Sequence, residues 1–435
     1  MSPLRFIATL LGGSMLAASL LACFNVAVDP YLLFDRPRAA GFNALKPAVE
    51  THEPMMKAYQ AARLAPKTAI LGSSRPDIGL DPTSPAWPAA MRPVYNLSTV
   101  GSGLSVNLRD LRSLVASRRP GARPDTLIVG LDFESFLYRP TASAPASAVA
   151  PAETADAVDE QAERLAALKE SRDRMLPPQR MLKDYAAAAL TLDAVLDSLA
   201  TVSANLGAGG PDLEASGRLS EGRLRQWTQA DGAAQLFAQK HQVALRQYLK
   251  PKQVLSDTPD GPIRDFSDLD ALFDFAGRHA MKVVLAVQPA HASRLELLDG
   301  MGYWPDFERW KRGLAALAAR ARASGLDVSV WDFAGYDTFM REAVPARGDR
   351  SRPMRWFWDP VHYSTPLGDA MILTMTGGEA GFPAAVRLTP QTVDARLEQV
   401  RRDRGEFRRQ APTQLLEVQR MLCAAGRCAT AAPAP

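Results

Sequence analysis

The stretch Thr68-Ala69-Ile70-Leu71-Gly72-Ser73-Ser74-Arg75 decides the reading of this chain. Four uncharged residues rich in apolar side chains stop at a glycine and two serines, the pattern of a strand buried on both faces that ends in a tight turn. Further runs of this kind occur at Val94 to Leu97, Thr126 to Val129, Lys282 to Val287 and Val328 to Trp331. Between them lie segments with helical periodicity: Leu104, Leu108, Leu111, Leu114 and Val115; Leu269, Leu272, Phe273 and Ala276 after a cap at Ser267; and Phe307, Trp310, Leu314 and Leu317, ended by Gly325. Strands alternating with helices imply an α/β fold with a parallel sheet covered on both faces.

In such a sheet, ligands bind beyond the carboxyl ends of the strands, where loops and helix N-termini open into a crevice. Those exits read Gly72-Ser73-Ser74-Arg75, Asn96-Leu97-Ser98-Thr99-Val100-Gly101, Gly130-Leu131-Asp132-Phe133 and Gln288-Pro289-Ala290-His291, and the loop after the fifth strand carries Asp359-Pro360-Val361-His362. A serine hydroxyl becomes a useful nucleophile when a histidine takes its proton, and the histidine works best when a carboxylate fixes its tautomer. Asp359 and His362, three apart on a turn, can form that pair, with Ser74 as the nucleophile and the amides around Ser74 and Gly101 as donors to an oxyanion. Arg75 either holds an anionic group or pairs with Asp132 or Asp77, and His291 either contacts substrate or makes a structural hydrogen bond. Trp356, Phe357 and Trp358 line either a sugar-stacking wall or the core.

These exits resemble the sequence blocks of the SGNH/GDSL hydrolase superfamily: a Gly-x-Ser nucleophile turn (Gly72 to Ser74), an Asn followed five residues later by an oxyanion glycine (Asn96 and Gly101), a Gly-x-Asn after the third strand (Gly130 to Asp132), and a late Asp-x-x-His (Asp359 to His362). The resemblance covers residues 68 to 140 and 266 to 375 and is greatest to the membrane-anchored branch that includes polysaccharide O-acetylation and teichoic-acid D-alanylation proteins. It implies a three-layer, flavodoxin-like sheet. It also implies a serine esterase or O-acyltransferase needing no cofactor, a cell-surface or secreted polysaccharide as substrate, and a membrane acyl-donor protein as partner. Asn96 and Asp132 would then sit with Arg75 and His291 among the substrate-binding groups. Two departures stand out. Ser73 replaces the family's Asp, and Asp132 replaces its Asn; an ionised carboxylate cannot donate to an oxyanion. That second departure favours the other reading, a membrane-tethered scaffold of the same fold that binds polymer or an export-apparatus partner without catalysis.

Outward from the strands, the chain has 435 residues, 47% hydrophobic and 23% charged, ample for a large core. Its 51 basic and 47 acidic residues are interspersed, which speaks against nucleic acid as a partner. Residues 1–28 read as a signal anchor: Phe6 to Val28 lacks any charge and, at about 1.5 Å per residue, reaches roughly 34 Å, enough to cross a bilayer. Leu20-Leu21-Ala22-Cys23 resembles a lipobox, but the apolar run continues past Cys23, favouring uncleaved anchoring over lipidation. Residues 29–140 and 261–380 are the two parts of the α/β domain. Residues 141–260 are a linker, rich in Ala, Ser, Thr and Pro from Thr141 to Val158, followed by a helical insertion. Residues 381–435 are a C-terminal helix and tail. Cys423 and Cys428 are candidates for a disulfide, and two thiols without a neighbouring histidine argue against a metal site. The branch resembled places the body outside a bacterial cytoplasmic membrane, facing the periplasm or cell exterior, on a single span.

Overall fold

The computed structural model describes residues 2–116, 123–138, 178–250, 253–258, 261–263, 266–378, 381–410 and 412–428. The linker expected from Thr141 to Val158, the start of the insertion, and the last residues of the tail lie outside them. The chain divides into two compact units. The first holds the described residues of Met1–Ala65, Asp110–Arg123 and Pro151–Arg223; the second holds those of Pro66–Arg109, Pro124–Ala150 and Leu224–Pro435.

The second unit is a mixed α/β body around one six-stranded sheet. Its strands are β1 (Thr68–Leu71), β2 (Val94–Asn96), β3 (Thr126–Leu131), β4 (Lys282–Val287), β5 (Val328–Asp332) and β6 (Val386–Arg387), in the order β2-β1-β3-β4-β5-β6. The first five run parallel, in the places where the short apolar runs occur. The sixth corrects the expectation of a purely parallel sheet. It pairs antiparallel with β5 through two residues, too short for any periodicity to mark it.

Alternation along each strand supplies both faces of the sheet with apolar side chains. Ile70, Ile128, Val284 and Ala286 pack into one cluster with Tyr363, Leu367, Met371 and Ile372, which belong to the helix Thr365–Thr376 and its approach. The helices Phe266–Arg278 and Trp304–Ala323 pack on β4 and β5. β1 lies between β2 and β3, so the chain leaves it in one direction and returns on the other side. The switch in strand order therefore falls at the carboxyl ends of β1 and β3, the place where sheets of this kind bind ligands.

The first unit holds the helix Pro3–Val28, unbroken through Cys23 and apolar and long enough to cross a membrane. In its last turns Asn25 and Val28 are buried, and Asn25 is gripped: the amide donates to the Ala189 carbonyl at 3.0 Å and the oxygen accepts from Ser198 Oγ at 2.9 Å. The fully buried Lys46 ammonium donates to the Val28 and Asp29 carbonyls, both at 2.8 Å, satisfying acceptors that a helix C-terminus leaves open. Tyr31, Leu32, Leu33, Met56, Tyr59, Ala188, Ala194 and Leu213 form this unit's small core. Near the end of the chain, in the second unit, Cys423 and Cys428 are joined as a disulfide.

Candidate active site

Ser74 opens the short helix Ser74–Gly79 directly after β1. The turn into it needs a glycine. Gly72 has φ +151°, and a Cβ there would lie 2.5 Å from Pro76 Cγ. Asn107 holds the turn from the side, its Oδ1 accepting from the Gly72 amide at 2.6 Å. The Gly72 carbonyl accepts from the Thr99 amide and from Ser102 Oγ, each at 3.0 Å. The loop that carries Gly101 is thereby tied to the turn that carries Ser74. Gly101 itself is exposed and left-handed, with φ +70°.

Asp359 and His362 occupy the tip of a small hairpin. Phe357 bridges Tyr363, the Trp358 amide donates to the His362 carbonyl at 2.9 Å, and the Ser364 amide donates to Trp356 at 2.9 Å. Asp359 Oδ1 accepts from the amides of Val361 and His362, both at 2.9 Å, which curls the tip and leaves Oδ2 for the ring. Oδ2 stands 2.6 Å from His362 Nδ1, and His362 Nε2 stands 2.8 Å from Ser74 Oγ. Three groups expected to meet are therefore in one hydrogen-bonded line, with 288 positions of chain between the serine and the imidazole. In this line Ser74 donates to Nε2 and Nδ1–H donates to Asp359, the tautomer that an ionised carboxylate selects.

Burial works against the charge on Asp359, but the facing His362, Lys240 4.0 Å away and the Val361 amide together outweigh it and hold the carboxyl well below the usual carboxylate range. Asp132 behaves in the opposite way. Burial pushes its carboxyl up, although the Arg75 guanidinium and the Ser73 hydroxyl both favour the charged form. Ser73 Oγ donates to Asp132 Oδ2 in a short hydrogen bond, and Arg75 Nε is 3.1 Å from Oδ1 without an aligned N–H.

The remaining expected site residues fall elsewhere. Arg75 pairs with Asp132 and with Glu134, at 3.1 Å each, rather than with Asp77. Asn96 corrects its expected role as a substrate contact. It is fully buried, and its amide donates to Pro76 at 2.9 Å and to Leu80 at 3.2 Å, holding the short helix Ser74–Gly79 against β2. His291 is likewise structural. Fully buried, it bonds Ser293 Oγ through Nδ1 and the Glu342 carbonyl through Nε2, both at 2.8 Å, and burial drops it to about 4. Its backbone amide donates to Pro360 at 3.0 Å and so braces the Asp359–His362 hairpin. Of the three aromatics, Phe357 is core, Trp356 leans on Phe339, and Trp358 is partly open beneath Arg225.

Several parts of the site carried no sequence signal. Asn107 and Lys240 lie on helices whose periodicity predicts only their apolar faces. A close approach was equally hidden: a Cβ on Gly368 would lie 1.8 Å from the Gly79 carbonyl, and one on Gly79 would lie 2.0 Å from Tyr363. The helix after the histidine thus presses against the helix after the serine, with no room for even a methyl group. Family models, curated proteins and solved structures contain no match to this chain.

Proposed function

We propose that this protein is a membrane-anchored serine esterase or O-acyltransferase of the SGNH/GDSL type, its body outside a bacterial cytoplasmic membrane and its substrate a cell-surface or secreted polysaccharide. The line Ser74–His362–Asp359, with distances of 2.8 and 2.6 Å, carries the proposal. The strand order, in which five parallel strands read 2-1-3-4-5, is that of flavodoxin-like sheets and supports the kinship. The helix Pro3–Val28 supports the anchoring.

The chemistry follows from the proton positions. Ser74 Oγ bonds to the carbonyl carbon of an acyl ester while its proton passes to His362 Nε2, and Asp359 steadies the resulting imidazolium. The amides of Ser74 and Gly101 receive the oxyanion. His362 then gives the proton to the departing alcohol, leaving an acyl group on Ser74. An incoming hydroxyl repeats the sequence in reverse: it surrenders its proton to His362, attacks the acyl carbon, and Ser74 recovers a proton as it leaves. Water as the acceptor makes the protein an esterase, and a sugar hydroxyl makes it a transferase. Asp132, engaged by Ser73 and Arg75, supplies no oxyanion donor in this scheme.

Release of acetate from a chromogenic ester by the detergent-solubilised full chain, together with stoichiometric labelling by a fluorophosphonate, tests the reading. Both should vanish in Ser74→Ala. A folded wild type that neither turns over nor labels would leave the polymer-binding scaffold as the better account.

A further inference from the structure

Within the first unit, the helices Pro178–Leu190 and Leu192–Ser203, the second continuing to Gly207, form a pair bent by 63° at the break that is together long and apolar enough to cross a membrane. The second helix and its continuation carry two stripes. Ala194, Ser198 and Thr201 face inward and are buried. Leu192, Leu196, Leu199 and Leu206, spaced i, i+4, i+7 and i+14, lie on the opposite side, 72, 57, 53 and 73% exposed. A helix of a soluble body turns its leucines inward; this one has a second apolar face that the described residues of its own unit leave uncovered.

The hydrogen bonds fix which way the pair points. Tyr185 donates to the Leu33 carbonyl at 3.1 Å, and four residues later the Ala189 carbonyl accepts from Asn25, so the first arm runs back toward the anchor. The second arm returns: Ser198 bonds Asn25, Asp197 accepts from Tyr31 at 2.6 Å, and Asn205 donates to Leu45 at 3.1 Å. The break at Leu190-Thr191-Leu192 therefore sits at the anchor's end of the unit. Thr191 Oγ1 caps the second arm by accepting from the Ala194 amide at 3.2 Å, so the tip needs fewer water contacts. Asp193, exposed beside the tip, is a charge that tolerates a headgroup layer but not hydrocarbon.

We infer that this hairpin is a second membrane contact: its tip and the leucines nearest it, Leu192 and Leu196, lie in the boundary between headgroups and acyl chains beside the anchor. This inference rests on the reading of Pro3–Val28 as a span, and it deepens that reading. Leucines on one face of a helix, sunk about 5–10 Å into the boundary between headgroups and acyl chains, are the pattern of interfacial helices. Such a contact adds apolar burial to the anchor and restricts its rotation, holding the unit at a set height.

Fluorophore-labelled cysteines in the full chain, reconstituted into vesicles of phosphatidylethanolamine and phosphatidylglycerol, test the inference. In a Cys23→Ser background, single probes are placed by Leu192→Cys, Leu196→Cys, Met15→Cys for the anchor, and Ala215→Cys for an exposed position elsewhere in the unit. Expected is blue-shifted emission at 192 and 196, quenched by lipids spin-labelled near the headgroup and protected from iodide, with the reverse at 215. If 192 and 196 answer to iodide as 215 does while 15 stays lipid-quenched, the second contact is wrong and the span stands. If 192 and 196 are shielded from both quenchers, a protein partner or second copy covers the stripe, and the inference also fails. Iodide reaching 15 as well overturns the span and the second contact together.

Discussion

Ser73 and Ser74 are neighbours in the chain, and each donates a hydrogen bond toward a carboxylate, yet their surroundings differ in kind. Ser74 points to an imidazole that separates it from Asp359, a carboxyl held well below the usual range. Ser73 touches Asp132 directly, a carboxyl that burial pushes up. The Ser73 hydroxyl meets a carboxylate that is also paired with Arg75, whereas the Ser74 hydroxyl meets an imidazole backed by a second carboxylate, the arrangement in which a histidine takes a serine's proton. The difference teaches that two adjacent serines of one turn are told apart only by what the distant chain places opposite each.

The sharpest break of this comparison is Ser74→Ala against Ser73→Ala. Hydrolysis of an acetyl ester should fall by at least about 10⁴-fold in the first, the usual consequence of removing the nucleophile of a triad, and by less than about tenfold in the second. Equal losses would mean that the two serines act as one unit and would dissolve the distinction.

Next in size is Asp359→Asn, expected to lower kcat/KM by about 10⁴-fold because an amide no longer selects the tautomer with the proton on Nδ1. The pH profile adds a second reading. With its carboxyl depressed, Asp359 remains ionised at pH values where an ordinary aspartate, near about 3.9, would be half protonated. Its contribution to stability is present above that unfolded value and is lost only as pH falls through the depressed one. The wild-type rate should therefore show no acid limb belonging to a carboxylate near pH 4. An inflection there that disappears in Asp359→Asn contradicts the depressed carboxyl.

How much of this was legible beforehand depends on sequence separation. The five parallel strands were visible because a buried strand is a local pattern, and so were the serine, aspartate and histidine, since each closes a recognisable turn. Asn96 misled, and His291 stayed open between two roles, because a polar residue at a strand exit reads the same whether it faces a ligand or spends every hydrogen bond inward. Gly79 and Gly368 were invisible: their meaning lies in a contact across 289 positions of chain, and neither has a conformation or a neighbour that announces it. Gly368→Ala probes that contact. A methyl group against the Gly79 carbonyl must push the serine's helix and the histidine's helix apart, costing about 1–3 kcal/mol. Denaturant midpoint and hydrolysis should fall together, while the equally mild Gly277→Ala, which meets open space, should leave both in place.

The smallest effect is expected from Asp132→Asn, and it refines the comparison from the Ser73 side. Its hydrogen bond goes to Ser73 and its ion pair to Arg75, so the line from Ser74 to Asp359 does not depend on it, and hydrolysis should change by less than about tenfold. Stability should respond in its pH dependence instead. A carboxyl raised on folding favours the native state most below its unfolded value, and that advantage is lost as pH rises through the folded one, because the buried group must then carry charge. The wild type should lose stability with rising pH across that interval, and the asparagine variant, with nothing to ionise at this position, should give a flatter curve in urea melts from pH 4 to pH 8. A loss of hydrolysis beyond about a hundredfold, with the flatter curve still present, would instead bring the β3 exit into the reaction and assign the carboxyl a proton to deliver.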